Sequence, residues 1–520
     1  MRHLPIAVAG VLLVAGCGGQ PRTGPAPFAP IAGDSEVRVA ASLITADKAL
    51  ARVGVIADDS MAGRNTPSVG LEATARYLAD AYRTLGLVPL GDSGGFIQRY
   101  TLQRVHAGAE SFLTVFEAGT PVRLPLAGAL VAGPMTGTPV TGPVKVLAGT
   151  VTVADVTPLT LRGTIVVLIQ RPDRTTDNQA VARAVMAQAP AAIIVVQQAD
   201  SATFRARVDS ARTFGNPQPV VAAVPASGVL TITVTDRFFD SLPDAPDFAA
   251  MRRAPAPVIM DGPSTVSINI VASTEIVSTA TAPNVVAMMP GRDSLLRREY
   301  VVFSAHMDHV GRAGDGVGGC TAIGADSICN GADDDGSGTT GILSIAEAVA
   351  RLRGRTRRSI VFLNVSGEEQ GLLGSAYFTA HPPFALSSAV ADINMDMIGR
   401  NSPDSIVVIG TDQSDLGGTL AGIQAAHPEL HLTAADDIRP DENVYSRSDQ
   451  FNFARRGIPV LFFFSGVHPQ YHRPDDEVGL INTDKLARVA RLGFYLGVTL
   501  ADTLPKPQWN PDSYRKIAVP

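Results

Sequence analysis

Residues 329–338 read Cys-Asn-Gly-Ala-Asp-Asp-Asp-Gly-Ser-Gly, placing three consecutive carboxylates, Asp333 to Asp335, in a glycine-rich turn. Like charges this close repel by about 1 kcal/mol per pair even in water, so the folded turn calls for a positive partner. Taken alone, the triplet also reads as a solvated loop or a helix cap. The residues that accompany it point instead to a bound cation. His306-Met307-Asp308 follows the apolar run 300–305, Ser366-Gly367-Glu368-Glu369 follows 360–365, and Asp396 follows 390–395. Tyr471-His472 stands in the loop after 458–464. Imidazoles and carboxylates without cysteine suit zinc or a similar divalent ion.

Each of these runs has the length and β-branched content of a strand and ends in a His, Asp or Glu, or in a loop that carries one. In an open α/β sheet ligands bind at that edge, so residues far apart in sequence can converge there. Strand signals at 284–289, 300–305, 359–365, 389–395, 405–409 and 458–464 alternate with helical patterns at 340–352 and from about 483. They predict an α/β fold with a doubly wound, mixed, mostly parallel sheet and helices on both faces. Asn482 or Thr483 offers the cap of the last helix. Over 42–120 the chain reads as helix and then extended, with Leu71, Ala75, Leu78, Tyr82 and Leu85 at helical spacing and Gly86 placed to end it. No chemistry is assigned there, and His106 reads as a surface or packing residue. Residues 121–275 have strand signals at 163–169, 191–196 and 219–224 and a helical pattern at 179–186, without a cluster of His, Asp and Glu. They read as a β-rich insert, and 506–520 as a C-terminal tail.

The 520 residues, 45% apolar and 18% charged, suit two or three domains with sizeable cores. A net charge of −6 without a basic domain argues against nucleic-acid binding. The run Arg351, Arg353, Arg355, Arg357 and Arg358 reads as a solvated loop at a helix C-terminus. Residues 1–16 read as a signal peptide, because the apolar stretch 4–16 falls short of the about 20 residues that span a bilayer. Cys320 and Cys329 form a pair suited to a disulfide in an oxidising compartment, with thiolate ligation of a metal as the alternative.

Residues 13–17, Leu-Val-Ala-Gly-Cys, resemble the lipobox of bacterial lipoproteins. That resemblance implies cleavage before Cys17 and lipidation of its thiol. With Gly18 following, it also implies an outer-membrane address, membrane contact through the anchor alone, and a tether over 17–41.

His306-x-Asp308, Gly331-Ala332-Asp333-Asp334-Asp335-Gly336-Ser337-Gly338, Gly367-Glu368-Glu369-Gln370-Gly371, Asn394-Met395-Asp396 and Tyr471-His472-x-Pro474 resemble the co-catalytic two-zinc aminopeptidase family. That family includes secreted bacterial leucine aminopeptidases and, more distantly, glutamate carboxypeptidase II. The resemblance covers 42–120 and 276–505, and the insert is similar, more loosely, to a protease-associated domain. It implies that Asp334 bridges two Zn2+ ions, one completed by His306 and Asp396 and the other by Glu369 and His472. It further implies a cis bond between Asp334 and Asp335 and Tyr471 as the phenol that assists the oxyanion; Glu368, beside Glu369 at the same strand end and outside the ligand set, is read as the general base, and the acidic site suits peptides with a free N-terminus as substrates. Asp308 would accept the proton on the second ring nitrogen of His306. Asp333 is read as a supporting residue of the turn, and Asp449 as a partner of the substrate amine or a buried cap. With the ligand set complete, His309 is read as structural, and His381, His427, His431 and His468 receive no role. The alternatives are a carboxypeptidase using Arg400, a single-zinc acyltransferase resembling glutaminyl cyclases, and a non-catalytic receptor, which is expected to have lost ligands.

Overall fold

The computed structural model describes residues 35–117, 119–198, 201–219, 228–315, 319–437, 444–503 and 505–518. The expected signal peptide, Cys17, nearly all of the tether and the run 220–224 lie outside them. The tether ends earlier than expected, because Ser35–Ala41 is a helix that buries Val37, Ala40 and Ala41. Among the described residues no helix is long and apolar enough to cross a membrane.

The elements that matter for the site are α1 (Ala46–Ile56), α2 (Val69–Thr84), β1 (Ile97–Ala107), β2 (Thr274–Met289), β3 (Tyr300–His306), α3 (Gly336–Arg351) and β4 (Ser359–Val365). They continue with α4 (Leu373–Ala380), β5 (Ala389–Met395), β6 (Ser405–Ile409), α5 (Gln450–Ala454), β7 (Val460–Phe464) and α6 (Thr483–Asp502). One sheet runs in the order β1-β2-β4-β3-β5-β7-β6, with short strands at both edges. Its centre, β4-β3-β5-β7, is parallel, while β2 and β6 pair antiparallel at its flanks. Parallel strands covered on both faces read as unbroken apolar runs. Val301, Phe303 and Ala305 of β3 accordingly pack with α1, α2, α3 and α6, while Val302 packs with Phe378 of α4 and Phe453 of α5 on the opposite face.

Helix α6 begins where the sequence offers a cap, with the Asn482 side chain accepting from the Lys485 amide. It lies close enough to β3 that a Cβ on Gly497 would fall 2.3 Å from Cζ of Phe303. We expect Gly497→Ala to cost about 1–3 kcal/mol through overpacking, read as a lower denaturant midpoint. An unchanged midpoint would mean that the helix moves aside freely.

The arginine run is solvated only at its start, where Arg351 and Arg353 are exposed at the end of α3. Arg358 is fully buried, with its guanidinium bonded to Glu299 and to the carbonyls of Leu500 and Thr503. Arg357 pairs with Asp293 at 2.9 Å. Both tie the start of β4 to neighbouring chain, an outcome that a list of charges does not reveal.

The insert forms two further sheets. The smaller runs Thr120–Pro125, Phe112–Glu117, Val266–Val271, Val140–Gly142, and the larger has six strands, including the buried Ile165–Ile169 and Ala192–Gln197. The module therefore starts at Phe112, ahead of the expected 121, because β1 and β2 pair along their full length and carry the chain out to it. The C-terminal tail is also ordered in part: Pro511–Ile517 is helical, and Trp509 donates to the Gly457 carbonyl at 2.9 Å.

Candidate metal centre

The four parallel strands end side by side, which brings their motifs together. His306 closes β3, Glu368 and Glu369 follow β4, Asp396 follows β5, and His472 lies in the loop after β7. Asp334 stands in the turn that leads into α3. Its two oxygens face different imidazoles: Oδ1 is 3.3 Å from His306 Nε2, and Oδ2 is 3.2 Å from His472 Nε2. Asp396 Oδ1 lies 3.5 Å from His306 Nε2, and Glu369 Oε2 lies 3.0 Å from His472 Nε2. All five residues named as ligands in the sequence therefore meet, in two groups that share one carboxylate.

The turn is held from several sides. The Asp334–Asp335 bond is cis. Asp335 caps α3 by accepting from the Gly338 amide and also accepts from the Met397 amide, which joins the turn to the residue after Asp396. Asp333 Oδ1 accepts from the Gly399 amide at 2.7 Å. The Asp476 carboxylate accepts from the Asp333 and Asp334 amides. Asp396 accepts from Ser448 at 2.8 Å, which orients its second oxygen. The Cys320 and Cys329 sulfurs are bonded.

Asp308 has different partners from those expected. The second ring nitrogen of His306 lies 3.2 Å from the Asp308 backbone carbonyl and 3.8 Å from its carboxylate. The carboxylate instead accepts from the Thr66 hydroxyl, which in turn accepts from the Gly367 amide. A residue two positions past a strand end can turn either its main chain or its side chain back toward the ring, and here the main chain faces it.

The segment given no chemistry supplies much of this scaffold. Arg64 is fully buried and donates to the carbonyls of Ile56, Met307, Asn330 and Gly331, clamping the His306 loop to the carboxylate turn. Thr66 links Asp308 to the glutamate loop as described. Nothing in the spacing around Arg64 signals this, because its partners are main-chain carbonyls far along the chain. His309 also lies at the cluster. Its Nδ1 lies 2.8 Å from Glu369 Oε1 and 3.7 Å from Asp334 Oδ2. His468 is buried 3.5 Å from Asp333, whereas His427 stacks on Tyr495, His381 stacks on Tyr377 and His431 ends a short helix, all away from the cluster.

The electrostatics favour a cation. Burial works against charge on Asp334, yet the nearby imidazoles outweigh it and hold its carboxyl well below the usual range. Burial likewise opposes charge on His472, while the close carboxylates of Asp334 and Glu369 raise it to about 10. Asp334 Oδ2 and His472 Nε2 are both buried without a hydrogen-bond partner although they face each other. Donors at about 2.0–2.1 Å around one tetrahedral ion stand about 3.3 Å apart, close to the separations here, so the residues fit zinc. Burial, with Glu369, Asp449 and Asp396 adding to it against His306, pushes the Glu368 carboxyl well above its ordinary range.

A cavity of about 410 Å³ opens onto His306, Asp334, Glu368, Asp396 and Tyr471. Val407, Ile409, Phe462, Phe464 and Val467 line it further out. Asp449 is fully buried and does not line it, and burial pushes its carboxyl up to about 7.

Residues 284–496 match peptidase family M28. Over 218 residues the chain is 28% identical to a probable leucine aminopeptidase of Arthroderma otae, covering 40% of this chain and 55% of that one. Over 173 residues it is 30% identical to aminopeptidase YwaD of Bacillus subtilis, covering 31% and 36%. The chain thus spans about half or less of the length of these curated relatives. The fold is similar to that of an aminopeptidase from Aneurinibacillus sp. strain AM-1, with a TM-score of 0.50 and 20% identity over 90% of this chain and 97% of that one. Match and geometry fall on the same strands and the same turn, and over residues 284–496 the chain is similar to peptidase family M28.

Proposed function

We propose that the chain is an exported zinc exopeptidase, an aminopeptidase that removes N-terminal residues from peptides and is anchored by lipid at Cys17 in the outer membrane. The observation that carries the catalytic part is Asp334, which offers one oxygen to each of two donor groups at the ends of parallel strands. Relatives named as leucine aminopeptidases support the substrate class. Export and the anchor rest on the lipobox resemblance, and the insert is read as a protease-associated module.

When bound, two divalent ions lower the pKa of water and polarise a carbonyl. Glu368 takes the proton of the attacking water and delivers it to the leaving amine. Tyr471 lines the same cavity and donates its phenolic hydrogen to the oxyanion, a contact worth about 100-fold. The acidic inner end of the cavity suits a substrate ammonium, and its apolar outer wall suits an apolar first side chain. Arg400 is committed to Gln470 and Asp476, which weakens the carboxypeptidase reading. Arg447 reaches the cavity with no other Arg or Lys among its lining residues.

Dialysis against a strong chelator is expected to abolish hydrolysis of leucine p-nitroanilide, and two equivalents of zinc to restore it. Full activity after complete metal removal, or activity only on C-terminal or N-terminal glutamine substrates, would contradict the proposal.

A further inference from the structure

The two donor groups around Asp334 are not equivalent. One comprises His306, Asp334 and Asp396; the other comprises His309, Asp334, Glu369 and His472, and within each group the ligating atoms lie within 4.8 Å of one another. Resting on the metal-centre reading above, we propose that His309 is a further metal ligand, so that its ion is enclosed by four protein donors while the ion at His306 has three and keeps an open position.

Three independent observations carry this. The first is placement: His309 is fully buried and presents Nδ1 to Glu369 at 2.8 Å and to Asp334 at 3.7 Å, while His472 Nε2 approaches the same two carboxylates at 3.0 and 3.2 Å. The two separations to Asp334 Oδ2 and the two to the separate oxygens of Glu369 bracket the about 3.3 Å edge of a zinc tetrahedron. The second is the space made for the ring. Gly331 has φ +58, and a Cβ there would fall 2.5 Å from His309 Cδ2 and 2.2 Å from the Asp334 carbonyl oxygen. Its backbone is also pinned, since the His309 amide donates to the Arg64 carbonyl at 3.2 Å. The third is access from this cavity: His306, Asp334 and Asp396 line it, whereas His309, Glu369 and His472 do not, the half-buried His472 (28% exposed) meeting solvent elsewhere. Zinc sites closed by four protein donors serve structure, and those with three leave room for water or substrate. The cavity opens toward the three-donor group.

The ions therefore differ in role. The His309 ion is the more tightly retained and fixes Asp334 and Glu369, and the His306 ion is the more exchangeable.

The test uses the full chain loaded with one equivalent of Zn2+ and examined by X-ray absorption at the zinc edge, beside chelator competition. Wild type is expected to show two imidazoles on the first ion, and His309→Asn one, with the first dissociation constant weakened about 100-fold or more. Asp396→Asn is expected to weaken only the second binding step and to leave two imidazoles on the first ion. Circular dichroism of each variant, with His427→Asn as a buried histidine away from the site, separates loss of a ligand from loss of fold. If His309 only donates a hydrogen bond to Glu369, wild type shows a single imidazole on the first ion and His309→Asn leaves that count unchanged, and the proposal falls. A misfolded His309→Asn still leaves the wild-type imidazole count to decide. Failure of every chain to hold zinc would instead overturn the metal-centre reading itself.

Discussion

Replacing Glu368 with Gln lowers kcat for an amino-acid anilide between about 100- and 10,000-fold while both metal ions stay bound. The amide has the same shape but cannot take a proton from water. Glu368 lies just past β4 beside Glu369, faces the cavity, and belongs to neither donor group built around Asp334, although it stands close enough to His306 and Glu369 to share an ion with them. Steady-state kinetics with zinc content on the same preparation checks this. A variant that keeps at least a tenth of wild-type kcat would remove Glu368 from the base role. A variant that loses zinc would show that its part is structural.

The largest effect on stability is expected at Arg64, a residue without catalytic contact. Its guanidinium donates at 2.6–3.0 Å to four main-chain carbonyls drawn from α1, the His306 loop and the turn before Asp334. Arg64→Met keeps much of the side-chain volume and leaves those acceptors buried without a donor. At about 1 kcal/mol for each carbonyl, the loss is about 4 kcal/mol, read from denaturant unfolding of the metal-free protein. Weaker zinc binding is expected to accompany it, because Met307 and Gly331 flank ligands. A loss under 1 kcal/mol would mean that water or a local shift satisfies the carbonyls, and the clamp would then be incidental.

The strand-end residues were legible because the four central strands are buried on both faces. Each reads as an unbroken apolar run, and the polar residue that ends it stands out. Asp334 was legible because carboxylates rarely crowd unless a cation accompanies them. Arg64 was hidden, since bonds to remote carbonyls leave no pattern in side-chain types. His309 was set aside because five ligands already formed a complete set, although spacing alone did not exclude a sixth. For Arg358, composition suggested solvent where the fold supplies Glu299 and two carbonyls. The insert boundary was misplaced because β1 and β2 belong to both the main sheet and the arm that carries the module.

The proposed centre places Asp334 between two divalent ions. Anomalous diffraction at the zinc edge from crystals of the zinc-loaded chain tests it most directly. We expect two peaks about 3.5–4 Å apart, one beside His306 and Asp396 and the other beside Glu369 and His472. A single peak, or density near Asp333, His468 and Asp476 with none at Asp334, would contradict it.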